Sequence, residues 1–246
     1  NPLHSISPNA LVSGANRVVR SVHSEAYEQH VVRLLNRIAS CRVGTIVLNR
    51  VAAIGRPIRI VPRVDLRHRV AQTPAALGFG NQTDRIARGI RGRDGENGEV
   101  DSGRDGTGRG ANVGIVIFSP GARLTAAQAV VYSEDSALVH EIVHVIRALS
   151  GHEDGRGIGT HFHNIEEFSA ILVEDIYRSS TGRHWLRESH RAQNVGPFDD
   201  RTRVGGENVN DLFRRIYAKP LALFRRQEPE LTAGLATVQA RFNPLR

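Results

Sequence analysis

Several features that would indicate a membrane or disulfide-bonded protein are missing from this sequence. Its 246 residues include a single cysteine, Cys41, which excludes an internal disulfide bond. An apolar run of about 18 or more residues is also missing, so no segment is long enough for a membrane-spanning helix. A secretory signal peptide is not recognisable at the start of the sequence. Methionine is absent even from position 1, and we therefore expect a processed chain or the C-terminal part of a longer protein.

Lysine is almost absent as well, and the basic residues are nearly all arginine. Lys219 is the only lysine, and the formal net charge is +8. Such a charge is typical of proteins that bind nucleic acids or acidic surfaces. The arginines are, however, spread along the sequence and mostly neighbour acidic residues, so we expect no nucleic-acid partner. A non-catalytic, arginine-rich binding domain is kept as an alternative interpretation.

The hydrophobic pattern predicts several helices and two short strands. Residues 24–39 have apolar side chains at helical spacing. In residues 58–61 apolar and polar side chains alternate, and a proline lies on each side of the segment, which is typical of a strand. The predicted elements are helices at 24–39 and 44–53, strands at 58–61 and 111–118, and helices at 137–150, 164–180, 208–218 and 228–241. This order predicts one α+β domain over residues 1–246, with a small mixed sheet packed over the 137–150 helix.

Residues 89–110 differ from the rest of the sequence. They contain eight glycines alternating with arginine and acidic residues, and almost no apolar side chain. Because such a segment has little to bury, we predict a flexible insertion that is dispensable for folding. A flap that grips a substrate is the alternative, since long loops beside active sites often do this.

The most informative stretch is ALVHEIVHVIRALSG, residues 137–151. Capping residues precede it and Gly151 ends it, so it is predicted to be a largely buried helix. His140 and His144 lie about 6 Å apart along the axis and about 40° apart around it, so both can bind one metal ion. Glu141 is about 100° away, where it can reach a water in the open coordination position without being a ligand.

A buried helix whose histidines merely hydrogen-bond to neighbouring carbonyl groups is the alternative interpretation. Against it, buried polar groups need partners, and three of them in an apolar helix would be unfavourable. A catalytic zinc site requires a third protein ligand and leaves the fourth position to water. Ser150 occupies the position of the third histidine in the extended HExxHxxGxxH pattern, so that class is excluded. The remaining downstream candidates are His152, His161, His163, Glu166 and Glu167.

The two blocks HEIVHVIRALSG and NIEEFSAILVEDIYRSSTGRHWLRESH together resemble the metallopeptidase domains of bacterial effectors and toxins. Members include C-terminal extensions of VgrG-type spike proteins of type VI secretion, Rhs-type toxin tips and NleD-like injected effectors. The resemblance implies a zincin fold of the gluzincin type, and one zinc ion per chain bound by His140, His144 and a glutamate of the Glu166–Glu167 pair. The ligand glutamate in related zincins is followed by an apolar residue, any residue and a small one, which favours Glu167.

The resemblance also implies an activity and a biological setting. Glu141 would act as the general base for hydrolysis of a peptide bond. The protein would be secreted and delivered into a target cell as a monomeric domain, with a protein or peptide substrate and a cognate immunity protein. Hydrolysis of an amide bond in cell-wall peptides is an alternative activity of the same site.

A transition-state stabiliser is also expected beside the metal. Arg214 and Tyr217 are three residues apart and share a helix face, and a similar pair serves some zincins, so both are candidates. The alternative for this pair is a solvated helix face. His190 and Tyr177 are weaker candidates. The strand VGIVIF, residues 113–118, is expected to be an edge strand that pairs antiparallel with an extended substrate through backbone hydrogen bonds.

Overall fold

The computed structural model describes residues 22–56, 58–61, 114–118, 133–158, 162, 164–187, 203–204 and 207–246. This part of the chain is mostly helical. The elements are α1 (Val22–Ala39), α2 (Arg42–Ile54), β1 (Ile58–Val61), β2 (Gly114–Ile117), α3 (Glu134–Ser150), α4 (Ile165–Ser180), β3 (Arg203–Val204), β4 (Glu207–Asn208), α5 (Val209–Ile216), α6 (Ala218–Gln227) and α7 (Pro229–Ala236). None of the helices in these ranges is long and apolar enough to cross a membrane.

Helix α3 lies at the centre of the described structure. Every residue from 135 to 149 is buried, including the polar ones. Its neighbours are α4, α2, α1 and β2, so apolar residues on all of its faces have packing partners. The core therefore surrounds the helix that carries His140, Glu141 and His144, and these side chains occupy a water-poor environment.

The two strands predicted before α3 pair with each other and pack on it. Residues 58–61 and 114–117 form a parallel pair, with Ile58 opposite Gly114. A side chain at Gly114 would overlap Val145, so glycine here allows β2 to approach α3 closely. The predicted mixed sheet is not what the described residues form. The two strands run parallel, and the short antiparallel pair β3–β4 forms a separate sheet.

Capping interactions determine where α3 and α4 begin and end. Gly151 adopts φ 76° after α3, and its backbone N–H contacts the carbonyl oxygens of the last turn, as the sequence predicts. Asn164 caps α4 by accepting a hydrogen bond from the Glu167 N–H at 2.8 Å. This cap places Glu166 and Glu167 in the first turn of α4, facing the helix that carries the two histidines.

The C-terminal region contains three short helices, whereas the sequence predicted two at 208–218 and 228–241. The prediction missed α6, at 218–227, which begins directly after Tyr217. Tyr217 has φ −109° and ψ 28°, outside the helical range, so α5 ends there and the chain changes direction. Pro220 is tolerated because it lies in the first turn of α6, where its missing N–H removes no helical hydrogen bond. The predicted flexible insertion at 89–110 lies outside the described residues.

Candidate metal centre

Two histidines on α3 meet at one point, as their spacing predicts. His140 and His144 are both buried, and their Nε2 atoms lie 3.0 Å apart. Their rings are nearly perpendicular, with an interplanar angle of 82°. This arrangement presents one nitrogen of each ring to the same small volume, which is the geometry needed to share one ion.

Glu167, in the first turn of α4, supplies a third ligand atom at the same point. Its carboxylate oxygens lie 3.4 Å from Nε2 of His140 and 3.7 Å from Nε2 of His144. One ligand atom from each of the three residues can be chosen so that all lie within 4.8 Å of one another. A tetrahedral zinc ion with bonds of about 2.0–2.1 Å separates its ligand atoms by about 3.3 Å. Two imidazole nitrogens and a carboxylate at these distances therefore form a group that could bind a metal ion.

The other ring nitrogen of His144 is held by a buried ion pair. Its Nδ1 lies 3.0 Å from Oε1 of Glu166, and Oε2 of Glu166 accepts a hydrogen bond from Arg147 Nε at 2.7 Å. The backbone N–H of Asp154 donates to the same Oε2 at 3.2 Å. A carboxylate can only accept, so this contact favours the tautomer with a proton on Nδ1 and a free electron pair on Nε2.

His140 has an equivalent arrangement with different residues. Its Nδ1 lies 3.2 Å from Oε2 of Glu174, which also accepts a hydrogen bond from Arg187 Nη1 at 2.7 Å. The hydroxyl of Ser136 donates to Oε1 of Glu174 at 3.2 Å. Both histidines are thus backed by a buried glutamate that is paired with a buried arginine, a common arrangement behind metal-binding histidines.

Two buried arginines offset the charges of the two glutamates behind the histidines. Burial by itself would raise the pKa of Glu166 and of Glu174, but Arg147 and Arg187 respectively, together with the histidines, outweigh it and lower both pKa values. Burial, and next the charge of Glu174, raise the pKa of the neighbouring Asp175 well above its ordinary value. The glutamates behind the histidines are therefore paired with arginines, whereas Glu167 faces Nε2 of both histidines.

In the metal-free chain the cluster attracts a proton instead. Burial disfavours the charged form of His140, but its hydrogen bonds to Glu167 and Glu174 outweigh this and raise its pKa. Two Nε2 atoms and a carboxylate are all acceptors when both Nδ1 atoms carry protons. A cation, whether a proton or a metal ion, can satisfy such a group.

The remaining predicted site residues differ in where the structure places them. Glu141 is buried beside His140 on α3. Tyr217 is buried with its ring 5.5 Å from the ring of Phe168, the residue after Glu167. Arg214 is directed away towards the C-terminal segment, because it donates to the carbonyl oxygen of Pro244 at 3.1 Å and pairs with Asp211.

Other histidines and tyrosines considered from the sequence have separate roles or lie elsewhere. Nδ1 of His152 lies 2.8 Å from Oε1 of Glu228, so this histidine contacts a residue of the C-terminal region and not the cluster. Tyr177 donates its hydroxyl hydrogen to Asp135 at 2.9 Å. Burial raises the pKa of Tyr177, and the neighbouring Asp135 carboxylate adds to this effect. His161, His163 and His190 lie outside the described residues.

Sequence reasoning missed the three residues that complete the surroundings of the histidines. Arg147 lies one turn beyond His144 on α3, and Glu174 lies seven residues after Glu167 on α4. Seven residues are about two helical turns, so Glu167 and Glu174 share a face of α4. Charged residues recurring at helical spacing within otherwise apolar helices were a usable signal for both. Arg187 lies outside the two helices, and no comparable pattern marks it.

No family model matches this chain, and no curated protein or solved structure matches it either.

Proposed function

We propose that this protein is a zinc-dependent metallopeptidase that hydrolyses peptide bonds at the His140–His144–Glu167 cluster. A single observation carries the proposal. Three side chains that could bind a metal ion converge from two helices, and a buried glutamate lies 3.0–3.2 Å from Nδ1 of each histidine, which favours the tautomer that a metal requires. The resemblance of the two sequence blocks to effector metallopeptidases supports the same activity and a zincin fold.

The ligand set favours zinc among the common ions. Two imidazoles and one carboxylate, with one coordination position left to water, are the ligands of known catalytic zinc sites, whereas magnesium and calcium prefer oxygen ligands. When bound, zinc supplies Lewis acidity, which makes water more acidic and polarises a substrate carbonyl group. Glu167 keeps 15% of its side chain exposed, so solvent reaches the cluster on its side.

Glu141 is the proposed general base. It lies next to His140 on α3 but about 100° around the axis, which suits a residue that contacts the attacking water rather than the ion. Its carboxylate takes a proton as the water oxygen bonds to the carbonyl carbon. The same proton then passes to the amide nitrogen as the carbon–nitrogen bond breaks, so that an acid and an amine are released.

Two further elements have proposed roles in binding the substrate. Tyr217 packs against Phe168, the residue that follows Glu167, and its hydroxyl is proposed to stabilise a developing oxyanion. In the described part of the chain β2 pairs only with β1, so an extended peptide is proposed to pair with its other edge. The substrate itself is proposed to be a protein in a target cell, as in the effectors that the sequence resembles.

The arginine-rich binding domain is less well supported by the structure. Arg147 and Arg187 are buried in ion pairs with glutamates, and the exposed Arg215 is paired with Glu207. Arginines used in this way stabilise the fold and do not form a basic surface.

The decisive experiment compares the wild type with Glu141→Gln and Glu141→Ala. We expect peptide hydrolysis, detected as new N-termini in a treated cell lysate and as toxicity in cells, to fall by about 10²- to 10⁴-fold in both variants. Zinc content and melting temperature should stay near those of the wild type, since Glu141 is not a ligand. Glu134→Gln is a matched control, because Glu134 lies on the same helix but pairs with His30.

Two results would contradict this mechanism. Retained hydrolysis in both Glu141 variants would exclude Glu141 as the base. Loss of zinc together with hydrolysis would instead identify Glu141 as a ligand or structural residue.

A further inference from the structure

Residues 183–187, which we call the strap, follow α4 and run back along it. The backbone N–H of Arg183 donates to the carbonyl oxygen of Arg178 at 2.9 Å, and Arg178 Nε donates to the carbonyl oxygen of Trp185 at 2.9 Å. At the end of the strap, the backbone N–H of Arg187 donates to Oδ1 of Asp175 at 2.8 Å. The strap is thus attached to α4 at three points, which determines where the Arg187 side chain begins.

From this position the guanidinium group of Arg187 contacts the polar atoms behind His140. Its Nη1 atom lies 2.7 Å from Oε2 of Glu174 and 3.4 Å from Nδ1 of His140. Arginine can only donate a hydrogen bond and a carboxylate can only accept one. Arg187 would therefore require Nδ1 to be an acceptor, whereas Glu174 would require it to carry a proton. Arg187 makes its shorter contact with Glu174, and Glu174 lies closer to Nδ1 at 3.2 Å, which favours a proton on Nδ1.

We propose that Arg187 is a positioning residue for the metal centre: it holds Glu174 so that His140 carries its proton on Nδ1 and presents Nε2 to the ion. Arg187 touches neither the ion nor the substrate in this role, and it acts through Glu174. The inference rests on the metal centre of the proposed function and adds that the strap, which lies outside both ligand helices, determines the affinity for zinc.

The strap itself provides a matched control. Arg183 also pairs with a buried carboxylate on α3, since its Nη2 atom lies 2.8 Å from Oδ2 of Asp135. Asp135 contacts Tyr177 and Arg183 rather than a metal-binding histidine. Replacing either arginine therefore removes one arginine–carboxylate pair from the same segment, and only one of the two pairs lies behind His140.

The experiment measures the zinc dissociation constant of the whole chain by competition with a chromophoric chelator, and the melting temperature in parallel. We expect Arg187→Ala and Glu174→Gln to weaken zinc binding by about 10- to 100-fold, and Arg187→Lys to restore part of the affinity. Arg183→Ala should lower the melting temperature while the zinc dissociation constant stays within about twofold of the wild type. In ¹⁵N-resolved spectra, the His140 ring of the zinc-loaded wild type should show its proton on Nδ1.

An equal effect of Arg187→Ala and Arg183→Ala on zinc affinity would overturn the proposal, because the strap would then act only through stability. If Arg187→Ala does not fold, Arg187→Lys and Glu174→Gln carry the same comparison, and wild-type affinity in both would overturn it too. A wild type that binds zinc but cleaves nothing contradicts only the peptidase activity. A wild type that binds neither zinc nor cobalt overturns the metal centre and this inference with it.

Discussion

Two buried polar clusters lie between the same pair of helices, α3 and α4, and they differ in how their atoms are matched. The first is the candidate metal centre of His140, His144 and Glu167, backed by Glu166 and Glu174. The second, which we call the Asp135 cluster, consists of Ser133, Asp135, Tyr177 and Arg183. Both contain a carboxylate paired with an arginine.

In the Asp135 cluster, two donors meet the same carboxylate oxygen. Tyr177 and Arg183 both donate to Oδ2 of Asp135, at 2.9 and 2.8 Å, and Arg183 also donates to the hydroxyl of Ser133. In the candidate metal centre, by contrast, two imidazole nitrogens and a carboxylate oxygen converge on one point. The comparison shows that buried charge alone does not identify a binding site. The feature that distinguishes the candidate metal centre is the convergence of three possible ligand atoms within 4.8 Å of one another.

The largest expected difference between the clusters is in zinc content. His144→Ala should reduce bound zinc from one ion per chain to none, because two ligands do not hold a catalytic zinc ion. Tyr177→Phe, in the Asp135 cluster, should keep one zinc ion per chain. Elemental analysis of both purified variants measures this, and full zinc occupancy in His144→Ala would refute the proposed site.

The second largest expected difference is in zinc affinity, between variants of the two adjacent glutamates at the start of α4. Glu167→Gln removes the charge that faces the ion, whereas Glu166→Gln removes only the group behind His144, whose loss typically weakens metal binding about 10- to 100-fold. We therefore expect the larger loss of zinc affinity in Glu167→Gln. Chelator competition on both variants checks the order, and the reverse order would mean that Glu166 is the ligand.

The clusters should also respond to acid in separate pH ranges. Hydrogen bonds to Glu167 and Glu174 raise the pKa of His140 above its ordinary value of 6.5 in the zinc-free chain, despite burial. Protons therefore begin to compete with zinc for His140 at a pH above 6.5, and the competition increases as the pH falls. Burial opposes ionisation of Asp135, but Arg183 outweighs it and lowers the pKa below 3.8. The stabilising charge of Asp135 is therefore present above its unfolded pKa and is lost only as the pH falls through the lower, folded value.

We thus expect zinc affinity to fall by about tenfold per pH unit below the His140 pKa, while the fold persists to about pH 4. Zinc retention and melting temperature measured on the same pH series test this. Simultaneous loss of zinc and fold would show that the two clusters are not independent.

The smallest effect is expected from a single hydroxyl in the Asp135 cluster. Tyr177→Phe removes a buried hydrogen bond to a charged group and should lower the free energy of unfolding by about 1.5–3 kcal/mol. Tyr27→Phe is the control, because its hydroxyl donates to the backbone carbonyl of Phe118 and such neutral bonds contribute about 0.5–1.5 kcal/mol. Urea denaturation measures both, and a change in zinc affinity with Tyr177→Phe would contradict the assignment of this cluster as structural.

The parts of the site that lie within one helix were predictable from the sequence. The spacing of His140 and His144 determines that they share a face of α3 whatever surrounds the helix, because helical periodicity is a local property. The capping residues Asn164 and Gly151 were predictable for the same reason. Between Glu166 and Glu167, only the likeness to related zincins indicated a choice, and the structure brings Glu167 to the histidines.

Predictions that depended on contacts between distant segments were weaker. The sheets that the described strands form are not mixed: β1 and β2 run parallel, and strand direction depends on the connection between them and not on their own residues. Helix α6 was missed because the change of direction at Tyr217 has no glycine or proline at that position to mark it.

The sequence by itself determined a buried helix with two histidines on one face, a glutamate at the edge of that face, and a second capped helix that begins with two glutamates. Only the tertiary structure decided which glutamate faces the histidines and which stand behind them, and it brought Arg187 to Glu174. The physical reason is the separation in sequence between the residues that must come together. The angle between residues on one helix follows from a fixed 100° rotation per residue, whereas contacts between helices depend on how side chains far apart in the sequence pack together.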